Sequence, residues 1–170
     1  MNCSNISKCT IKLARTYETR DPFKIAEYIG INLQYNKMQN IKGFYTKILK
    51  NRYIVINNNI DKISAKIVCT HEIGHDRFHR NLGIKTFQDE MCVSLKTSTP
   101  EIEANYFTAE FLITDNDFLE LATNGYTYSQ IACILNVHTE LAMIKAQLLN
   151  SRGYNFKIPY IPRANFLGKV

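Results

Sequence analysis

His71-Glu72-Ile73-Gly74-His75 is the stretch on which the reading of this chain turns. It is an H-E-x-x-H pattern, and its spacing has a physical meaning. Residues four apart on a helix lie one turn apart on the same face, about 6 Å along the axis. Two imidazoles placed so can both reach one zinc ion, at about 2.0–2.1 Å from each nitrogen. Glu72 follows the first histidine and points to one side of that face. From there its carboxylate can take the proton of a water whose pKa zinc has lowered to about 7, which leaves hydroxide aimed at a carbonyl. The alternative is a structural helix with coincidental histidines. The preceding residues argue against it. Ile63, Ile67 and Ile73 fall on helical spacing, with Ala65, Val68 and Cys69 filling in, so a helix enters the motif as a metal site requires.

Upstream, three short extended pieces lead into this helix. Residues 31–35 alternate apolar and polar side chains, residues 43–49 are rich in strand formers, and Tyr53-Ile54-Val55-Ile56 is the strongest strand signal in the chain. Lys50-Asn51-Arg52 is the expected turn between the last two. The expectation is a small antiparallel sheet, and an edge strand beside the metal could hold an extended peptide. Before the sheet, residues 8–18 read as a weak helix. Asp21-Pro22 gives a cap and a first-turn proline for a second helix, which Gly30 closes.

Downstream, the motif helix is expected to end near Arg80 and Gly83, followed by a loop over 84–99 with one turn around Phe87–Val93. His79 shares the face of His71 and His75, but as a third ligand it would have to reach back a full turn. Packing, support behind the ligands or contact with substrate fits it better. The position six residues after His75, where some zinc proteases carry a third histidine, is Asn81. The next helix is expected from Pro100, with Ser98 or Thr99 as cap. It offers Glu101, Glu103 and Glu110 as third ligand. Glu103 shares a stripe with Phe107 and Phe111, where a buried carboxylate needs a partner such as zinc. Glu101 reads as a solvated capping acid. The pattern therefore favours Glu103, with Glu101 and His79 left as alternatives.

The two stretches together, His71–His75 and Glu101-Ile102-Glu103-Ala104-Asn105-Tyr106-Phe107-Thr108-Ala109-Glu110-Phe111-Leu112, resemble the ImmA/IrrE family of zinc metallopeptidases. Its members show H-E-[IL]-G-H and then E-x-E-A-N-x-F-A-x-x-L-L-x-P. The likeness covers roughly residues 20–150. It implies an α+β, zincin-like (gluzincin) core with Zn2+ on His71, His75 and Glu103 and with Glu72 as general base. Thr114 departs from the proline usual at that place. The family's usual work, as the resemblance implies it, is to cleave the helix-turn-helix repressor of a phage or integrative element, or a similar repressor in stress responses. The Asn-, Lys- and Ile-rich composition is compatible with a low-GC bacterial host for such an element.

Residues 128–145 resemble a helix-turn-helix unit with its turn at Asn136-Val137. Its second helix carries Lys145 as the one basic residue, whereas a DNA-reading helix offers Arg, Lys, Asn or Gln. A helix pair packed on the core, or gripping the repressor, is the favoured reading over DNA binding. The net charge of +6 is spread along the chain and reads as a solvated basic surface. The five cysteines form no C-x-x-C pair, no run of about 18 apolar residues occurs, and the N-terminus lacks an apolar signal core. The expectation is a cytoplasmic protein without a membrane span. It divides into a metallopeptidase core (1–125), a helical region (126–153) and an aromatic, proline-containing tail (154–170) that serves as a strand or docking arm. The expected function is a zinc endopeptidase acting on a repressor. The rivals are a non-catalytic zinc-containing module that sequesters the repressor and a DNA-binding regulator.

Overall fold

A computed structural model of the chain describes residues 3–80 and 99–162. Among them are helices α1 (Cys3–Thr16) and α2 (Pro22–Tyr28), strands β1 (Ile31–Asn36), β2 (Gly43–Ile48) and β3 (Asn51–Asn57), and helix α3 (Lys62–Phe78). Helices α4 (Thr99–Leu112), α5 (Asp115–Thr123), α6 (Tyr128–Ile134) and α7 (Thr139–Asn150) follow. The architecture is mixed α+β, as the sequence implies. The expected break at Gly83 and the turn around Phe87–Val93 lie outside the described residues.

The helix starts sit where the capping residues put them. Asp21 accepts from the Phe23 amide at 2.9 Å, with Pro22 in the first turn of α2, and Gly30 leaves the helix at φ +74°. Asp61 caps α3 by accepting from the amides of Ile63 and Ser64, both at 2.9 Å. Thr114 caps α5 by accepting from the Asp117 amide. Thr114, where the resemblance leads one to expect proline, thus starts the next helix two residues after α4 ends.

The sheet corrects the antiparallel expectation. Its order is β1-β3-β2, with β2 antiparallel and β1 parallel to β3. β3 is the most apolar strand and takes the centre, with Ile54, Val55 and Ile56 buried. The turn at Leu49-Lys50, one residue earlier than expected, makes β2 and β3 a hairpin. β1 must then use the other edge of β3. Asn36 and Gly43 both lie at the far end of β3, opposite Asn57 and Ile56 respectively, so the connection 37–42 crosses over that end. A chain that arrives on one side, crosses the end of β3 and descends on the other necessarily gives one parallel and one antiparallel pairing. Buried Asn57 pins the crossing. Its amide donates to the carbonyls of Met38 and Ile41, both at 2.9 Å, and its Oδ1 accepts from the Met38 and Asn59 amides.

α4 lies between two apolar cores. On one side Phe107 and Phe111 join Ile25, Ile31, Ile54, Ile56, Cys69 and Ile73 under the sheet. On the other, Ala109 and Ile113 join Phe118, Ile131, Leu141, Ile144 and Leu148. Across this second core Lys145, fully buried, donates to Glu110 of α4 at 3.1 Å and also meets Asp115, while Arg152 pairs with both acids. The α6–α7 turn has Asn136 at φ +51°, the left-handed conformation expected of it. The tail corrects a second expectation, since residues 154–162 form no strand. Phe156 instead packs edge-on against Phe118, with ring centres 5.4 Å apart, and exchanges two hydrogen bonds with Asn150. Among the described residues no helix is long and apolar enough to cross a membrane.

Candidate metal centre

α3 brings the H-E-x-x-H residues to the groove it forms with the first turn of α4. The two helices touch at Gly74, where an added Cβ would lie 3.2 Å from Ala104 Cα and 3.3 Å from Phe107 Cδ1. A side chain there would make α4 give way by a few tenths of an ångström. His71 and Glu72 are buried beside the contact, and His75 sits at the groove with its side chain 12% exposed.

His71 Nε2 and His75 Nε2 lie 3.1 Å apart. Glu101 Oε2 is 3.2 Å from the first and Oε1 is 3.3 Å from the second. Two imidazole nitrogens carry at most two protons at these positions. If both are protonated, their N–H groups collide; if one is, at most two of the three contacts hold a proton. A cation at the centre satisfies all three. Donors about 2.0–2.1 Å from a tetrahedral zinc are separated by about 3.3–3.4 Å, and the contacts here are of that order, Glu101 meeting each histidine with a different oxygen. The donor atoms of His71, His75 and Glu101 make the one such group found among the described residues. Glu101 is 30% exposed at its side chain, so the set lies near the surface. Burial alone would raise the Glu101 carboxyl, but hydrogen bonds to His71 and His75 outweigh it and hold the group well below the usual carboxylate range.

The structure therefore places Glu101, not the expected Glu103, against the histidine pair. Glu103 meets His79 instead, accepting from its Nε2 at 2.9 Å. The reason lies in helix geometry. At about 100° per residue, with Ala104 turned to Gly74, Glu101 stands about 60° to one side of the contact and Glu103 about 100° to the other. The Phe107–Phe111 stripe marks the core under the sheet and not the groove. The small residues Gly74 and Ala104 were the signal that could have located the crossing. His79 is buried at the end of α3, where its φ of −129° has left the helix, and its ring centre is 5.4 Å from that of His75. Burial holds this imidazole toward its neutral form, against the pull of Glu103.

Sequence reasoning also passed over Asp76, next to His75. It is fully buried and accepts from Tyr45 of β2 at 2.9 Å, from Arg52 of β3 at 2.9 and 3.1 Å, and from Arg80 at 3.1 Å. Burial pushes its carboxyl upward, but these hydrogen bonds more than reverse the shift, so it stays ionised. Burial and the charge of Asp76 push the Tyr45 phenol up. Arg52 also donates to the carbonyl of Ile29 at the end of α2. One carboxylate thus ties the motif helix to the sheet and, through Arg52, to α2. An acid flanked in sequence by His75 and Arg77, with Arg80 four residues on, was a readable sign of such a hub.

Comparison with known proteins gives two findings. The family model described as Peptidase_M78, IrrE N-terminal-like domain, matches residues 26–149. A protein named "Uncharacterized immunity region protein 2", from Bacillus phage phi105, is 33% identical over 135 residues, which are 79% of this chain and 84% of that protein.

Proposed function

The chain belongs to the IrrE N-terminal-like family of peptidases, and from that premise we propose that it is a zinc endopeptidase of zincin-like design that cleaves a helix-turn-helix repressor. The observation that carries the chemistry is the set of three donors, His71, His75 and Glu101, brought within reach of one ion. The imidazole and carboxylate donors suit zinc, and three protein donors leave a fourth position for water in a catalytic site.

A bound zinc ion lowers the pKa of water and polarises a carbonyl. His71 and His75, fixed on one face of α3, and Glu101, from α4, would hold it. Glu72 takes the proton of the attacking water and returns it to the leaving amine. β2, an outer strand of the sheet that packs on α3, offers an edge along which an extended substrate can lie. The repressor as substrate is supported by the printed name of the phage relative, which places it in an immunity region. A DNA-reading role for residues 128–145 is disfavoured because α7 is buried along most of its length, Lys145 included.

The test is co-incubation of the purified chain with the repressor encoded beside its gene. Wild type, Glu72→Gln and chelator-treated samples are run together. Defined fragments from wild type alone support the reading. A stable complex without fragments in all three favours the sequestering module. Zinc content at saturating zinc tests the ligands: Glu101→Ala fails to take up the metal and Glu103→Ala still takes it up. The reverse result returns Glu103 to the ligand set.

A further inference from the structure

We infer that His79 and Glu103 form a positioning pair that fixes the ring of His75 and so sets the affinity of the metal centre. The role rests on a metal ion held at His71, His75 and Glu101, as proposed above. It goes beyond that proposal by assigning work to two residues outside the ligand set.

Three observations carry it. First, the rings of His71, His75 and His79 stand in series, with centres 4.8 Å and 5.4 Å apart. The middle ring is held from both sides, by an edge-on contact with His71 and a tilted one with His79. Second, His79 lies where α3 has ended. Its amide still donates to the His75 carbonyl at 2.8 Å, but its own dihedrals are no longer helical, so helix rotamer limits do not aim its ring. Glu103 aims it. A carboxylate only accepts, so His79 Nε2 carries the proton of their 2.9 Å contact, and Nδ1 is buried without a hydrogen-bond partner. The ring is thus oriented through one nitrogen and meets the ring of His75 at a tilt. Third, Glu103 stands two residues after Glu101 near the start of α4, so one helix end carries both the third ligand and the carboxylate that holds His79. The arrangement makes two His–carboxylate contacts between α3 and α4, one that holds the metal and one that keeps a ligand in register. Groups that orient metal ligands change affinity by about 10–100-fold when removed.

The test measures the zinc dissociation constant by competition with a chromophoric chelator. It is paired with the absorption spectrum of the cobalt(II)-loaded protein, which reports ligand geometry independently of activity. Wild type, His79→Ala, Glu103→Ala, the double variant, Glu103→Gln and Glu101→Ala are compared, each shown to be folded by the melting curve of its metal-free form. Each single alanine variant should bind zinc about 10–100-fold more weakly, with an altered cobalt spectrum. The double variant should be no weaker than the worse single one, because both remove the same clamp. Glu103→Gln, which still accepts from His79, should recover most of the affinity.

Single variants within twofold of wild type would overturn the inference, and so would losses in the double variant that multiply. Complete loss of metal in Glu103→Ala, with Glu101→Ala unaffected, would make Glu103 a ligand and end it as well. Zinc binding that is weak in wild type and indifferent to Glu101 would instead sink the metal-centre reading itself, which keeps the two failures apart.

Discussion

Gly74 does its work by lacking a side chain. A methyl group there would press on the Cα of Ala104, a backbone atom that cannot rotate away, and on the ring of Phe107. Ala in place of Gly favours the helix by about 1 kcal/mol, while forcing extra volume into packed surroundings costs about 1–3 kcal/mol. Gly74→Ala should therefore lower stability by about 1 kcal/mol. It should also weaken zinc binding, because the spacing of α3 and α4 is the spacing of His71 and His75 from Glu101. Thermal melting with and without zinc checks both effects. Glu72→Gln should differ in kind, keeping metal and fold while losing about 10²–10⁴-fold or more in rate in a fragment assay. At this scale the sequence disclosed what is periodic. His71, Glu72 and His75 follow from one helical turn. Glu101 does not, because which carboxylate faces the groove depends on where α4 meets α3, a fact about two helices and not about either.

Among the elements, α4 is the shared wall, and its fit to α7 depends on charge buried in an apolar setting. Lys145 is fully buried against Glu110, itself almost without exposure, and Arg152 reaches the same acid from the rim. Breaking a buried pair by removing one partner typically costs about 3–5 kcal/mol. Arg152 remains to pair Glu110 in Lys145→Met, so a loss near the lower end, about 3 kcal/mol, is expected in chemical denaturation. An unchanged midpoint would mean that Met packs as well as the ion pair did. The capping residue Asp21 made the start of α2 legible, and Asp61 and Thr127, which were not read as caps, do the same at α3 and α6, each satisfying amides that no helix can satisfy internally. Strand direction was not legible. Apolar alternation says which side a strand buries and nothing of which neighbour it runs beside, and here that was decided by the path of residues 37–42 over the end of β3.

For the molecule as a whole, the H-E-x-x-H motif and the glutamate-bearing stretch together made the family legible, and the family match over residues 26–149 agrees with it. The helix-turn-helix resemblance was legible as a shape, with Asn136 in the turn, but its second helix spends its faces on the core. A sequence pattern of apolar residues cannot by itself distinguish a helix that presents one face from one that is enclosed. The donors drawn from α3 and α4 have one more consequence. His71 and Glu101 are 30 residues apart in the chain, so an ion held between them is a cross-link. It ties a long segment into a ring that the unfolded chain must either open, releasing the ion, or carry at an entropic cost. Zinc at about a hundred times its dissociation constant would add about 2.7 kcal/mol. In a chain of this size that is roughly 5–11 °C of melting temperature. Chelation should lower the melting point by that much in wild type and hardly at all in Glu101→Ala. The cell's supply of zinc would then set how long the protease lasts, as well as whether it cuts.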